Sequence, residues 1–421
     1  MTTDAAEAYN THDLPRWSLW VGLVVLAWIA WRVLSLGQAD ALASREPNSA
    51  LAWRSDQADA LLLKAQAQLL AGDGPDAEAA ARQALTANPL DGRGYRMLAE
   101  AALAKGNAAD ALRRYQLASQ RSPRDLPSHQ WLAARYLQAG DYPRLLAHID
   151  SVLRVEPELS PQVFPDLVRL ATLPAAQPAL ARLLLAEPPW RSGFLVQLSH
   201  KVPDVRSVAP LMERLRHAHD SLADDELAAW LERLIHDREW GAAYLTWVAQ
   251  LPSEKQVAIG NVFNGGFDWE PSNSGFGWRF GRVAGAQIDR AETAGASNGF
   301  ALRVSFLDQR VPFNHVRQLL ALQPGPYRLD GRVRLDSLST ERGLVWSIVC
   351  AETGHELASS EAFSGNSPWR PFNMAFVVPG ENCGGQWLQL HLPARIRAEE
   401  RIGGVVWFDD LKISRTASPD S

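Results

Sequence analysis

Cysteine is nearly absent. Two residues in 421, Cys350 and Cys383, exclude a disulfide-rich scaffold and a four-cysteine zinc site. A surplus of positive charge is missing too: 42 Lys and Arg stand against 47 Asp and Glu, a net charge of −5. Without a global basic footprint the chain is not expected to bind nucleic acid. No H-E-x-x-H, Walker A or G-x-G-x-x-G occurs. The ten histidines are scattered, and His217 and His219, two apart, would not face each other on a helix. A glycosidase needs two facing carboxylates, and no pattern pairs them. The chain therefore reads as non-enzymatic, with no catalytic residue.

One long apolar run is present. Residues 17–36 read WSLWVGLVVLAWIAWRVLSL, with Arg32 as the one charge. At about 1.5 Å per residue this run matches the bilayer core. Trp17 and Trp20 near one end, with Trp28 and Trp31 toward the other, suit the two interfaces. The tail 1–16 is acidic, with Asp4, Glu7 and Asp13, unlike a signal-peptide n-region. A retained transmembrane helix is expected. A peptide cleaved at Ala41-Leu42-Ala43 is the alternative. Residues 37–57 are a linker or first helix.

The middle repeats. Pro89, Pro123 and Pro157 are spaced by 34, as are Gly72, Gly106 and Gly140. Each glycine precedes a polar residue: Asp73, Asn107, Asp141. With Tyr95, Leu98, Ala99, Ala102, Ala111, Tyr115 and Ala118 in the central unit, residues 58–157 resemble three tetratricopeptide repeats. Lys64 and Leu145 depart from that pattern. The resemblance implies stacked helical hairpins with a concave protein-binding groove lined by Leu62, Gln66, Arg93, Arg96, Gln130 and Ala134. Arg93 and Arg96, three apart, would share a helix face and suit a carboxylate; a solvated charged face is the simpler reading. Residues 158–251 continue the helical spacing without a clean period. They read as degenerate repeats, or as a separate small helical domain.

After Pro252 the period becomes two. Phe300, Leu302, Val304 and Phe306 alternate with smaller or polar residues, as do Phe372, Met374, Phe376 and Val378. Residues 261–415 are expected to form a two-sheet antiparallel β-sandwich, followed by a tail, 416–421. The opening Asn264-Gly265-Gly266-Phe267-Asp268, the turn Pro324-Gly325-Pro326-Tyr327 and the closing Trp407-Phe408-Asp409-Asp410-Leu411-Lys412-Ile413 resemble jelly-roll carbohydrate-binding modules of the galactose-binding-like superfamily.

Parity in the last strand puts Val405, Trp407, Asp409, Leu411 and Ile413 on one apolar face, where a bare carboxylate is costly. The resemblance implies a structural calcium ion with Asp268 and Asp409 as oxygen ligands; capping of Asp409 by backbone N–H groups or a buried arginine is the alternative. Trp387 and Trp369 would point away from the core, where sugar rings could stack, while Trp278, Trp346 and Trp407 would fill it. Cys350 and Cys383 are expected to form a disulfide, which favours an oxidising compartment.

The order of parts is thus a transmembrane helix, an all-α tetratricopeptide-like solenoid and an all-β jelly-roll sandwich. This architecture looks like that of accessory proteins of bacterial envelope or exopolysaccharide assembly. The expectation is a single-pass inner-membrane scaffold whose main domains lie in the periplasm. Its repeats would recruit protein and its sandwich would contact polysaccharide or a partner. A glycan receptor with the solenoid as spacer, and an envelope scaffold without glycan contact, are the competing readings.

Overall fold

The computed structural model describes residues 16–217, 222–256 and 258–417. Most of the N-terminal tail, His219 and the last four residues lie outside that description. The chain divides into two compact units, residues 1–163 with 178–190, and 164–177 with 191–421.

The first unit begins with α1 (Arg16–Ala43). Its stretch Trp20–Ala43 is long and apolar enough to cross a membrane. Side chains from Trp20 to Leu34 are exposed. The helix does not stop where the apolar run ends. Ser35, Ala39 and Ala43 turn inward, and Ala43 packs with Ala50 and Ala60. Gln57 donates to Asp40 Oδ1 at 3.0 Å, and Trp31 lies 5.9 Å from Trp53 of α2 (Pro47–Trp53). The segment expected as a linker or first helix is therefore helical to Ala43 and again across α2.

Three helical hairpins follow: α3 (Ala58–Leu70) with α4 (Gly74–Ala87), α5 (Gly92–Ala104) with α6 (Ala108–Arg121), and α7 (Leu126–Ala139) with α8 (Tyr142–Val155). Each elbow turns on a glycine with positive φ: Gly72 at 81°, Gly106 at 76° and Gly140 at 67°. That left-handed conformation is cheap only for glycine. The next residue caps the second helix: Asp73, Asn107 and Asp141 accept from the backbone N–H three residues on. Buried alanines such as Ala65, Ala81, Ala99, Ala111 and Ala118 let the helices approach closely.

The third hairpin holds a histidine pair. His129 Nδ1 and His148 Nδ1 are 2.9 Å apart, and Tyr136 stacks on His148 with ring centroids 5.6 Å apart. One nitrogen must donate and the other accept, so two imidazolium ions do not fit. Burial holds both pKa values below the ordinary 6.5, His148 down to about 4 with help from His129, while Asp125 partly offsets the shift at His129. The sign follows directly: below pH 6.5 the unfolded chain takes up protons that the folded pair refuses, so stability falls as pH drops toward 4. We expect the urea midpoint of the helical transition to fall more between pH 7 and 5.5 in the native protein than in His148→Gln. Equal slopes would show that the pair does not set it.

Helices α9 (Ser160–Ala171) and α10 (Gln177–Leu185) each contain residues of both units. In the second unit come α11 (Arg191–Lys201), α12 (Val205–His217), α13 (Asp224–His236), α14 (Trp240–Gln250) and the short α15 (Ser253–Gln256). Arg191 and Glu226 form a buried ion pair at 3.1 Å, and Glu226 Oε2 also accepts from Ala223 N, ahead of α13.

The same unit carries two antiparallel five-stranded sheets. The first has the order β1 (Trp278–Phe280), β4 (Val316–Leu320), β9 (Gln386–His391), β6 (Val345–Cys350), β7 (Glu356–Ser359). The second has β2 (Ala286–Glu292), β3 (Phe300–Arg310), β10 (Arg401–Arg415), β5 (Gly325–Thr340), β8 (Gly365–Val378). Their inner faces enclose one core, in which Trp346 lies 5.7 Å from Trp278 and 5.2 Å from Phe408.

The last strand corrects the parity read from sequence. Core residues in β10 are Ile402, Val406 and Phe408, then Leu411 and Ile413. Register shifts between Asp409 and Lys412, and Asp410 has φ 55°. The β-bulge inserts one residue and switches the inward set from even to odd numbers. Trp407 and Asp409 therefore lie on the outer face. Trp407 is buried there, not in the core: Arg334 and Arg303 cover its ring at 4.6 and 5.6 Å, and its Nε1 donates to Asp336 at 2.9 Å.

Candidate functional site

The outer face of the first sheet gathers side chains with unused binding capacity. Arg279 of β1 stands directly opposite Arg317 of β4, and Arg317 opposite Gln389 of β9. Like charges in direct cross-strand register repel. Of the two, among the described residues, Arg279 alone is ion-paired, to Glu232 of α13 at 2.7 Å; it also donates to Gly275 O at 3.1 Å. Its buried Nε finds no acceptor. Burial and the Arg279 charge lower the pKa of Arg317, Glu232 partly offsetting them. Arg317 lies over the Trp387 ring at 4.4 Å, and Arg279 over the same ring at 5.3 Å.

Trp387 is thus outward and half-buried, but its ring carries two guanidinium groups and is not an open platform. An open cavity of about 470 Å³ lies beside it, lined by Asn273, Arg279, Phe280, Asn314, His315 and Arg317. His315 Nδ1 accepts from Asn314 N at 3.1 Å, which leaves Nε2–H as the donor when the ring is neutral. Burial lowers the His315 pKa, favouring that neutral form. Packing of the helices settles this face further along. Trp247 of α14 meets Phe263 and Phe276 at 4.9 and 5.7 Å, and Trp240 donates to Glu352 at 2.6 Å.

The other sandwich residues singled out from sequence lie on or beside the second sheet. Trp369 is half-buried; Arg332 and Arg334 lie over its ring at 5.1 and 5.7 Å, and its Nε1 donates to Ala294 O at 3.1 Å. Asp409 is fully buried; its oxygens accept from Ser297 N and Asp410 N, each at 2.8 Å. Burial raises its pKa, opposed by those N–H groups. Asp268 accepts from Asn298 Nδ2 at 2.8 Å. The two carboxylates bind neighbouring residues of one loop. Among the described residues, no three His, Cys, Asp or Glu side chains come together as a metal ion requires. Cys350, ending β6, is disulfide-bonded to Cys383 ahead of β9, with Cα atoms 5.0 Å apart.

Sequence reading passed over one string. Gly295-Ala296-Ser297-Asn298-Gly299 has the spacing of a nucleophile elbow. It lies between β2 and β3 instead of between strand and helix, and Ser297 Oγ donates to the Asp410 carboxylate at 2.5 Å with no histidine bonded to it. Its bonds tie the loop to the last strand. The Arg279–Arg317 pair was also missed. Neither residue is unusual in sequence; only the register of β1 on β4 sets them opposite.

In the helical unit, Leu62, Gln66, Arg93 and Arg96 do come together. With Asp40, Asp59 and Met97 they line a cavity of about 400 Å³. Gln130 and Ala134 are exposed and outside it. The two arginines already hold carboxylates: Arg93 pairs with Asp59 and Asp91, each at 2.6 Å, and Arg96 with Glu100 and Asp125 at 3.0 and 3.1 Å. A carboxylate partner would have to displace these ion pairs.

No protein-family model matches the chain, and no curated protein matches it. Several solved structures are similar. A CBM4 structure is 13% identical with a TM-score of 0.29, over 37% of this chain and 99% of that one. TmCBM61, solved with β-1,4-galactotriose, is 21% identical with a TM-score of 0.27, over 38% of this chain and 99% of that one. The carbohydrate-binding module CBM6cm-2 from Cellvibrio mixtus lichenase 5A, solved with cellotriose, is 12% identical with a TM-score of 0.22, over 34% and 98%.

Proposed function

We propose that this chain is a membrane-anchored, non-enzymatic assembly factor of the bacterial envelope, with its sandwich in the periplasm contacting glycan. The observation that carries the glycan reading is the outer row Arg279, Arg317, Gln389, with its open cavity and the Trp387 support. Planar guanidinium and amide groups in a fixed row match the paired hydroxyls of a sugar ring. The hairpins, read as tetratricopeptide repeats, recruit protein at the cavity bordered by Leu62 and Gln66.

A retained anchor agrees with the burial of Ala43 against Ala50 and Ala60, which hides the alternative cleavage site inside packed helix. The disulfide agrees with an oxidising compartment, as does a large domain following a single span.

The glycan reading is tested with full-length protein in detergent micelles on an oligosaccharide array. We expect binding that is reduced at least tenfold in Arg279→Ala/Arg317→Ala, with unchanged circular dichroism. Binding that survives the double variant would move the site elsewhere; no binding to any glycan would leave a protein scaffold alone.

A further inference from the structure

The electrostatics of the same face define which glycans it suits. Among the described residues Arg317 makes no hydrogen bond or ion pair; it lies over the Trp387 ring at 4.4 Å, with Glu232 acting on it only through the longer-range field. Arg279 shares one carboxylate and keeps a buried Nε without an acceptor. Two guanidinium groups with one acidic partner leave an excess positive charge beside an open cavity. The ring lies within cation–π reach of both groups, and paired guanidinium groups suit bidentate recognition of a planar anion.

The surroundings distinguish the carrier of that anion. Among the described residues the Asn314 and Gln389 side chains make no hydrogen bond, and Asn273 uses only its Oδ1, accepting from Phe280 N at 2.8 Å. Amides donate and accept, the pattern of a sugar hydroxyl. Phe280 is the one large apolar side chain in the lining, too little to seat peptide side chains.

We propose that this face binds a carboxylate carried on a sugar ring: a uronic-acid glycan, not a neutral one. Arg317 and Arg279 grip the carboxylate, while Asn273, Asn314, His315 Nε2–H and Gln389 reach ring hydroxyls. Trp387 acts as a positioning residue beneath the arginines. The inference rests on the glycan reading above and adds the substrate class.

The experiment is calorimetric titration of the full-length protein with oligogalacturonate, oligoglucuronate and oligomannuronate, each paired with its carboxyl-reduced neutral form. Poly-glutamate is added as an acidic peptide. Expected is binding of at least one acidic oligosaccharide, roughly tenfold or more tighter than its neutral form and weakened by salt. Arg317→Ala should erase the preference and Arg317→Lys restore only part of it. Arg328→Ala, which removes an equal charge elsewhere on the sandwich, should leave it intact. Equal binding of acidic and neutral forms, lost in Arg317→Ala, would overturn the acidic class and leave the glycan reading standing. Binding of neither form would overturn both. Poly-glutamate bound as tightly as the best glycan, or equal losses in Arg317→Ala and Arg328→Ala, would also overturn the proposal.

Discussion

Cys350→Ala/Cys383→Ala is expected to lower the stability of the sandwich by about 3–4 kcal/mol. The bond spans a sequence separation of 33, and that loop is released in the unfolded chain once the bond is gone. It ties the end of β6 to the approach of β9, two adjacent interior strands of the first sheet. Both cysteines are buried in the core, so the alanines leave small cavities as well. Urea midpoints measured by tryptophan fluorescence, for the variant and for native protein with and without reductant, should show one common shift. No shift in either would mean that the bond does not hold the fold; free thiols at Cys350 and Cys383 in protein from its native compartment would remove the main support for an oxidising compartment.

A comparable loss is expected in the helices of the same unit. Glu226→Leu should cost about 3–5 kcal/mol, because it breaks a buried ion pair by removing one of its members. The side chains of Arg191 and Glu226 are 7% and 3% exposed, so solvent cannot take over. The Ala223 N–H at the start of α13 also loses its acceptor. Glu226→Gln, which keeps an oxygen for that N–H, should cost clearly less. Equal midpoints for Glu226→Leu and native protein would show the pair to be dispensable.

Legibility in the sequence followed the range of the interactions. The glycine elbows at Gly72, Gly106 and Gly140 were readable because φ > 0 is a property of single positions. The strands at 300–306 and 372–378 were readable because alternation is local. The face of Trp407 and Asp409 was not, because the bulge at Asp410 shifts every later residue by one. No residue type announces that shift; an aspartate with φ 55° looks like any other. The pairing of Arg93 and Arg96 with Asp59, Asp91, Glu100 and Asp125 joins α3, α5 and the start of α7, the first helices of three successive hairpins, and needs the packing to be seen. The site on the first sheet was half legible. Trp387 was found by parity, but the arginines that cover it come from strands 38 residues apart, brought into register by the fold.

The central claim is that the outer face of the first sheet is where this protein meets its glycan. The most direct measurement is hydrogen–deuterium exchange of the full-length protein with and without the oligosaccharide it binds best. The account predicts slowed exchange in peptides covering 273–281, 314–320 and 386–391, and no change around Trp369 and Trp407. Protection confined to the second sheet, or no protection anywhere in the sandwich, would contradict it.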